Sequence, residues 1–173
     1  MTNIQIMKMH LQAKVLGPLF EQGFVGKWPH FRREKPGCIE LIVFQTNKYG
    51  GSFCVGVSAV FPQGSNKNYV SWEGLSVDDL TVWNTNERYS LKGMYDGWFY
   101  YRDLYAKHIW GLGKDYIDVS EKNADTFSIP KGYKLVQKFD DRTAEQICDT
   151  INKQLVQAFK WLDRFERNQL RGR

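Results

Sequence analysis

A chain of 173 residues lies within the usual size of one domain and can bury a substantial core, so residues 1–173 are expected to form a single globular domain. Hydrophobic residues at 42% and aromatic residues at 15% exclude a chain that is disordered away from its ends. The net charge of +5 makes an anionic partner electrostatically easy, yet a charge of this size is also an ordinary solubility device.

Residues 1–10 contain no apolar run that could serve as a secretory core, and no window reaches the ~18 apolar residues of a membrane span. The expectation is a cytoplasmic protein with no membrane partner. From residue 4 to residue 20, Met7, Leu11, Val15 and Leu19, with Leu16 and Phe20 beside them, recur as one helical face. Gly17-Pro18 must kink or restart that helix, because proline lacks the N–H and crowds the preceding turn; Gly23 ends it. Residues 28–33 read as a short strand, with Pro36-Gly37 as the turn into the next.

Residues 38–46 and 53–60 are rich in β-branched and aromatic side chains at a period of two. Between them stands NKYGG, residues 47–51, which could cradle a phosphate or reverse the chain. A phosphate loop opens into a helix whose N-terminus helps to hold the anion. Here a strand follows, so the glycines read as a hairpin turn. Residues 62–68 look like a surface loop, and 76–79 like a further connection or short helix start. Later strand candidates are 88–91, 98–102 and 133–139; residues 104–113 suit strand or loop, and 120–126 an exposed connection. The last third is clearer: Asp141 can cap a helix, Glu145 adds charge near its start, and Ile147, Ile151, Leu155, Ala158, Leu162 and Phe165 form a long apolar stripe. The fold class that follows is α+β, an antiparallel or mixed β-sheet packed against N-terminal and long C-terminal helices.

Chemistry-bearing patterns are sparse. Cys38, Cys54 and Cys148 are odd in number and set among apolar residues, as buried thiols in a reducing compartment are. They form no C-x-x-C pair, and His10, His30 and His108 are far apart, so no metal site or cofactor is expected. In DGWFYYRDLYAKH, residues 96–108, Asp96, Arg102, Asp103 and His108 could converge for proton transfer, although an Arg–Asp pair anchoring a sheet edge explains the same letters and is the reading favoured here. Lys153, Lys160, Arg164, Arg167 and Arg171 follow helical spacing opposite the apolar stripe, either as a solvated face on which Asp163 pairs with Arg167 or as a phosphate-binding one. Trp72, Trp83, Trp98 and Trp110 read as core before they read as a recognition surface.

Several short pieces also carry a resemblance. They are the helix ending in Gly23-Phe24, the Phe31-Arg32 pair, Gln45 before a turn and Phe53, the segment NERYSLKGMYDGWFYY with Arg88, Leu91, Asp96 and Trp98, and WLDRF at residues 161–165. Together they resemble the bacterial domain-of-unknown-function family 4304. Where that family often has Phe-x-Val-Asn-Leu-Gly, this chain has Phe53-Cys54-Val55-Gly56-Val57-Ser58, with Gly56 in place of the asparagine. The resemblance supplies no reaction; some members look like immunity proteins that neutralise toxins. Three functional expectations stand side by side. The first is a non-enzymatic protein-binding module, of immunity type on the strength of the resemblance. The second is a small-ligand binder or enzyme with a pocket around Arg88, Asp96, Arg102 and Asp103, with Trp98 beside them. The third is nucleic-acid binding through Lys160, Arg164, Arg167 and Arg171. The sequence is silent on the oligomeric state.

Overall fold

A computed structural model describes residues 1–70, 74–93, 97–102, 105–108, 116–118, 131–137 and 139–171. The expected 120–126 connection lies outside the described residues.

The N-terminal helix forms in three pieces. Thr2 opens α1 (Asn3–Leu11) with a capping box: its hydroxyl accepts from the Gln5 amide while its own amide donates to the Gln5 side chain at 2.8 Å. Residues Gln12–Leu16 then widen into a π-helical turn, in which the Gly17 amide reaches five residues back to the Gln12 carbonyl, before α2 (Gly17–Glu21). Pro18 is the cause. It offers no amide to the Lys14 carbonyl four residues earlier, and that carbonyl accepts instead from the Asn152 side chain at 2.8 Å. The expected kink is thus a local widening, stitched to another helix. Gly23, at φ 90°, ends the segment.

Among the described residues nine strands follow: β1 (Val25–Lys27), β2 (His30–Lys35), β3 (Cys38–Thr46), β4 (Ser52–Val60), β5 (Tyr89–Ser90), β6 (Phe99–Tyr100), β7 (Tyr105–His108), β8 (Tyr116–Asp118) and β9 (Tyr133–Gln137). β1 to β5 lie in sequence order in one antiparallel sheet, with β6 also pairing to β4, while β7 stands between β8 and β9 in a second, three-stranded sheet. The chain is therefore α+β with an antiparallel sheet. The strand expected at 28–33 is displaced: Trp28-Pro29 forms a turn between β1 and β2, which register Lys27 against His30.

The β3–β4 hairpin confirms NKYGG as a reversal. Asn47 donates to the Ser52 carbonyl and Gly50 to the Asn47 carbonyl, both at 2.9 Å, while the Tyr49 amide turns onto the Asn47 side chain. These amides are occupied by the chain itself. Gly50 and Gly51 both take φ 75°, where a Cβ would be strained.

Register then decides the faces. Ile42 opposes Val57 and Phe44 opposes Val55, so Phe53, Val55 and Val57 lie on the opposite face from Ile39, Leu41 and Val43. The first face packs under α1, α2 and α3 (Asp141–Arg171) with Met7, Leu11, Leu19, Ile151 and Leu162. The second is covered by the connection after β4, through Leu80 and Val82. Asn68 holds that connection down: buried, at φ 57°, its amide donates to the Ala59 carbonyl at 2.7 Å and its oxygen accepts from Glu87 at 2.8 Å. Gly56 belongs to this face too, where an added Cβ would stand 3.3 Å from Val43 and Val82; an asparagine here would have to displace apolar packing.

Helix α3 runs 31 residues without Gly or Pro. Its cap is Asp140, one residue before the expected Asp141, since the Asp140 carboxylate accepts from the Thr143 amide at 2.8 Å. Asp141 instead faces His10 at 3.0 Å, and Lys14 pairs with Glu145, so the helix start is tied to the N-terminal segment.

Candidate functional site

Three places gather functional side chains. The first lies where α1 passes Trp28. Lys8, Leu11, Gln12, Leu16 and Trp28 line an open groove of about 260 Å³. Helical periodicity puts Lys8, Leu11 and Gln12 on one side of α1, and the π-helical turn carries Leu16 into the same wall. π-turns recur at functional sites because they reposition side chains at little cost to the rest of the helix. Trp28 packs its ring against Phe44 at 5.1 Å and stays 37% exposed, a rigid aromatic wall backed by core. Lys8 and Gln12 form a polar rim over buried Leu11 and Leu16. Among the described residues the groove is lined by one cation, one amide, two leucines and a tryptophan, with no carboxylate, thiol or imidazole. Along the chain, six of the ten exposed large hydrophobics among the described residues fall between Met1 and Trp28, namely Met1, Ile4, Met9, Phe20, Val25 and Trp28.

The second place is the outward face of α3. Gln157, Lys160, Asp163, Arg164 and Arg167 line a shallow groove of about 290 Å³. The expected Asp163–Arg167 ion pair takes a different form, because Arg167 Nε donates to the Asp163 backbone carbonyl at 3.1 Å while the Asp163 carboxylate lies 3.9 Å from Lys35.

The third is a buried charge network. Glu40 is 1% exposed in the middle of β3, where it receives Arg33 at 2.5 Å and Lys35 at 2.6 Å from β2; Lys35 also reaches Glu166 of α3 at 3.4 Å. Burial works against the Glu40 charge, yet the bonds from Arg33 and Lys35 outweigh it and hold the carboxyl below its ordinary range. Glu166 goes the other way, raised by burial and by its hydrogen bond and repulsion with Glu40. The neighbouring Cys38 thiol is pushed up to about 12, first by burial and then by the Glu166 charge, which leaves it a poor nucleophile. Arg33 lies 4.5 Å over the Phe24 ring and donates to the Gln22 carbonyl at 2.9 Å. The network joins two strands to a helix around the buried Glu40, with Arg33, Lys35 and Glu166 only partly exposed, the position of a structural clamp.

The sequence-derived candidates fall as follows. Arg88 is exposed and stands 5.4 Å over the ring of Trp83, itself 46% exposed where a core position was expected. Arg102 is half-buried, with Nη2 donating to the Gly50 carbonyl at 3.1 Å, over a hairpin turn where a Cβ on Gly51 would meet its side chain. Trp98 is half-buried. Asp96, Asp103, Trp72 and Trp110 lie outside the described residues. Lys160, Arg164 and Arg167 share one groove, and Arg171 is exposed farther along the same helix. Among the described residues no three His, Cys, Asp or Glu side chains cluster as a metal site. No helix among them is long and apolar enough to cross a membrane.

Sequence reasoning missed the Trp28 groove and the Glu40 network. Both left a trace: a tryptophan at a tight turn beside an amphipathic helix, and a lone carboxylate inside the otherwise apolar run CIELIVF.

No curated protein and no solved structure matches the chain. The family resemblance read around Asp96, Trp98 and residues 161–165 lies beyond the stretch that a family model matches, whereas Gly23-Phe24, Phe31-Arg32, Gln45, Phe53, Arg88 and Leu91 all lie within it. Residues 15–93, from the π-helical turn through β5, match the family described as a domain of unknown function (DUF4304).

Proposed function

We propose that this chain is a non-enzymatic protein-binding module that seats an apolar side chain of its partner in the groove beside Trp28. The observation that carries the reading is the groove itself, an apolar floor with an exposed tryptophan wall and a Lys8 rim, in the N-terminal stretch that holds most of the exposed large hydrophobics among the described residues. Tryptophan, with tyrosine and arginine, is enriched among the residues that anchor protein interfaces. At about 260 Å³ the groove is below the ~300–1,000 Å³ of small-molecule pockets but accommodates a large side chain. Lys8 favours a partner with a carboxylate beside that anchor. The immunity-type role suggested by the family resemblance, in which one protein covers another, belongs to this class.

The test is affinity capture from host lysate with two baits, wild type and Lys8→Glu, whose exposed position leaves folding intact. A protein retained stoichiometrically by the first and lost by the second is expected. Equal retention by both baits, or turnover of a defined substrate by the purified chain, would overturn the proposal.

A further inference from the structure

The outward face of α3 carries a row of cations that is separate from the Trp28 groove. At 100° per residue, Lys153, Lys160, Arg164, Arg167 and Arg171 fall within an arc of about 60°, one straight row along the helix. All five are exposed, and among the described residues none forms an ion pair with a carboxylate. That sets them apart from the cations facing the sheet and the N-terminal segment. Lys14 is paired with Glu145, Arg32 with Glu34 and Asp78, and Arg33 and Lys35 with Glu40. The acidic residue in the groove, Asp163, turns its carboxylate toward Lys35. What distinguishes the row is that five exposed cations lie in register along one helix, with no carboxylate paired to them among the described residues.

We infer that the row binds the phosphate backbone of duplex nucleic acid. From Lys160 to Arg171 it spans about 16 Å, within which each strand of a duplex carries several phosphates at one per ~3.4 Å. Single-stranded nucleic acid fits less well, because stacking needs open aromatic faces and the nearest ring, Trp161, is already stacked on Phe165 at 5.0 Å and packed on Tyr89. A membrane surface fits less well again, since the apolar face of α3 that would insert is buried against the sheet. Lysine and arginine facing phosphates confer no sequence preference.

The experiment measures binding of a fluorescent 20-base-pair duplex of arbitrary sequence across a salt series. Neutralising about three phosphates predicts a slope of log affinity on log salt near −2.7, or about 40-fold weaker binding at 200 mM than at 50 mM. Arg164→Gln with Arg167→Gln should lower that slope by about two, whereas Lys8→Glu should leave it unchanged, which separates this surface from the groove. A melting curve of the double variant matching wild type shows that the fold is kept. No binding at 20 mM salt, a slope unaffected by the double substitution, or equal competition by polyglutamate, which would point to an acidic protein, overturns the inference.

Discussion

Two helical segments cover the same face of the main sheet, and they do so differently. α3 is unbroken, buries an apolar stripe from Ile147 to Phe165, and is clamped near its end by Glu166 to the Glu40 network. The N-terminal segment is interrupted by Pro18, widened into a π-turn, and leaves Ile4, Met9 and Phe20 exposed beside the Trp28 groove. An unbroken amphipathic helix can sink its whole apolar face because every side chain keeps register with the sheet. A widened one shifts register midway, and part of its apolar surface stays open. The packed side therefore supplies stability, and the open side leaves apolar surface exposed, the surface on which the proposed protein binding rests.

The largest break in that contrast comes from the clamp. Glu40→Ala leaves Arg33 and Lys35 facing a buried void and should cost about 3–5 kcal/mol, read by denaturant unfolding. Close behind, Leu162→Ala removes a fully buried side chain of α3 and should cost about 2–5 kcal/mol in the same assay, and an unchanged unfolding midpoint would mean that the stripe is not core. Phe159 is a poorer probe, being half-buried and stacked on Phe24 at 5.8 Å.

Smaller effects sharpen the comparison at the seam between the two segments. Asn152→Ala takes away the donor that satisfies the carbonyl freed by Pro18 and should cost about 1 kcal/mol by thermal melting. Glu166 provides a pH test. Its raised pKa means that its contribution is present below the unfolded value of 4.5 and is lost as pH rises through the folded one, whereas the depressed Glu40 loses its contribution on acidification. Glu166→Gln should therefore widen the gain in melting temperature between pH 4 and pH 7 relative to wild type; a narrower gain would refute the raised pKa. Smallest of all, Met9→Ser on the open side should stay within about 0.5 kcal/mol of wild type while improving solubility, seen by scattering at high concentration.

Much of the scaffold was legible because its signals are local. The β3–β4 hairpin follows from alternation on either side of NKYGG, and α3 from a stripe uninterrupted by glycine or proline. The short strands β5 and β6 were anticipated only as candidates, and β8 and the separate sheet it joins were not anticipated, since two- and three-residue strands carry too little period to stand out. The row of cations on α3 could be read from spacing alone, as helical geometry converts sequence intervals directly into a face. The Trp28 groove could not, because it unites residues from two elements that only packing brings together.

What the sequence by itself determined, then, is what depends on neighbours along the chain: the turns, the helix faces, the class of fold, and the resemblance to a family that residues 15–93 match. What only the tertiary structure decided depends on partners far apart in sequence. Glu40 gains its charge from Arg33 and Lys35 on an adjacent strand and meets Glu166 from a helix more than a hundred residues away. Pro18 becomes a π-turn because Asn152 is there to take the carbonyl it frees. Such pairings are set by burial and register, and neither leaves a periodic mark on the chain.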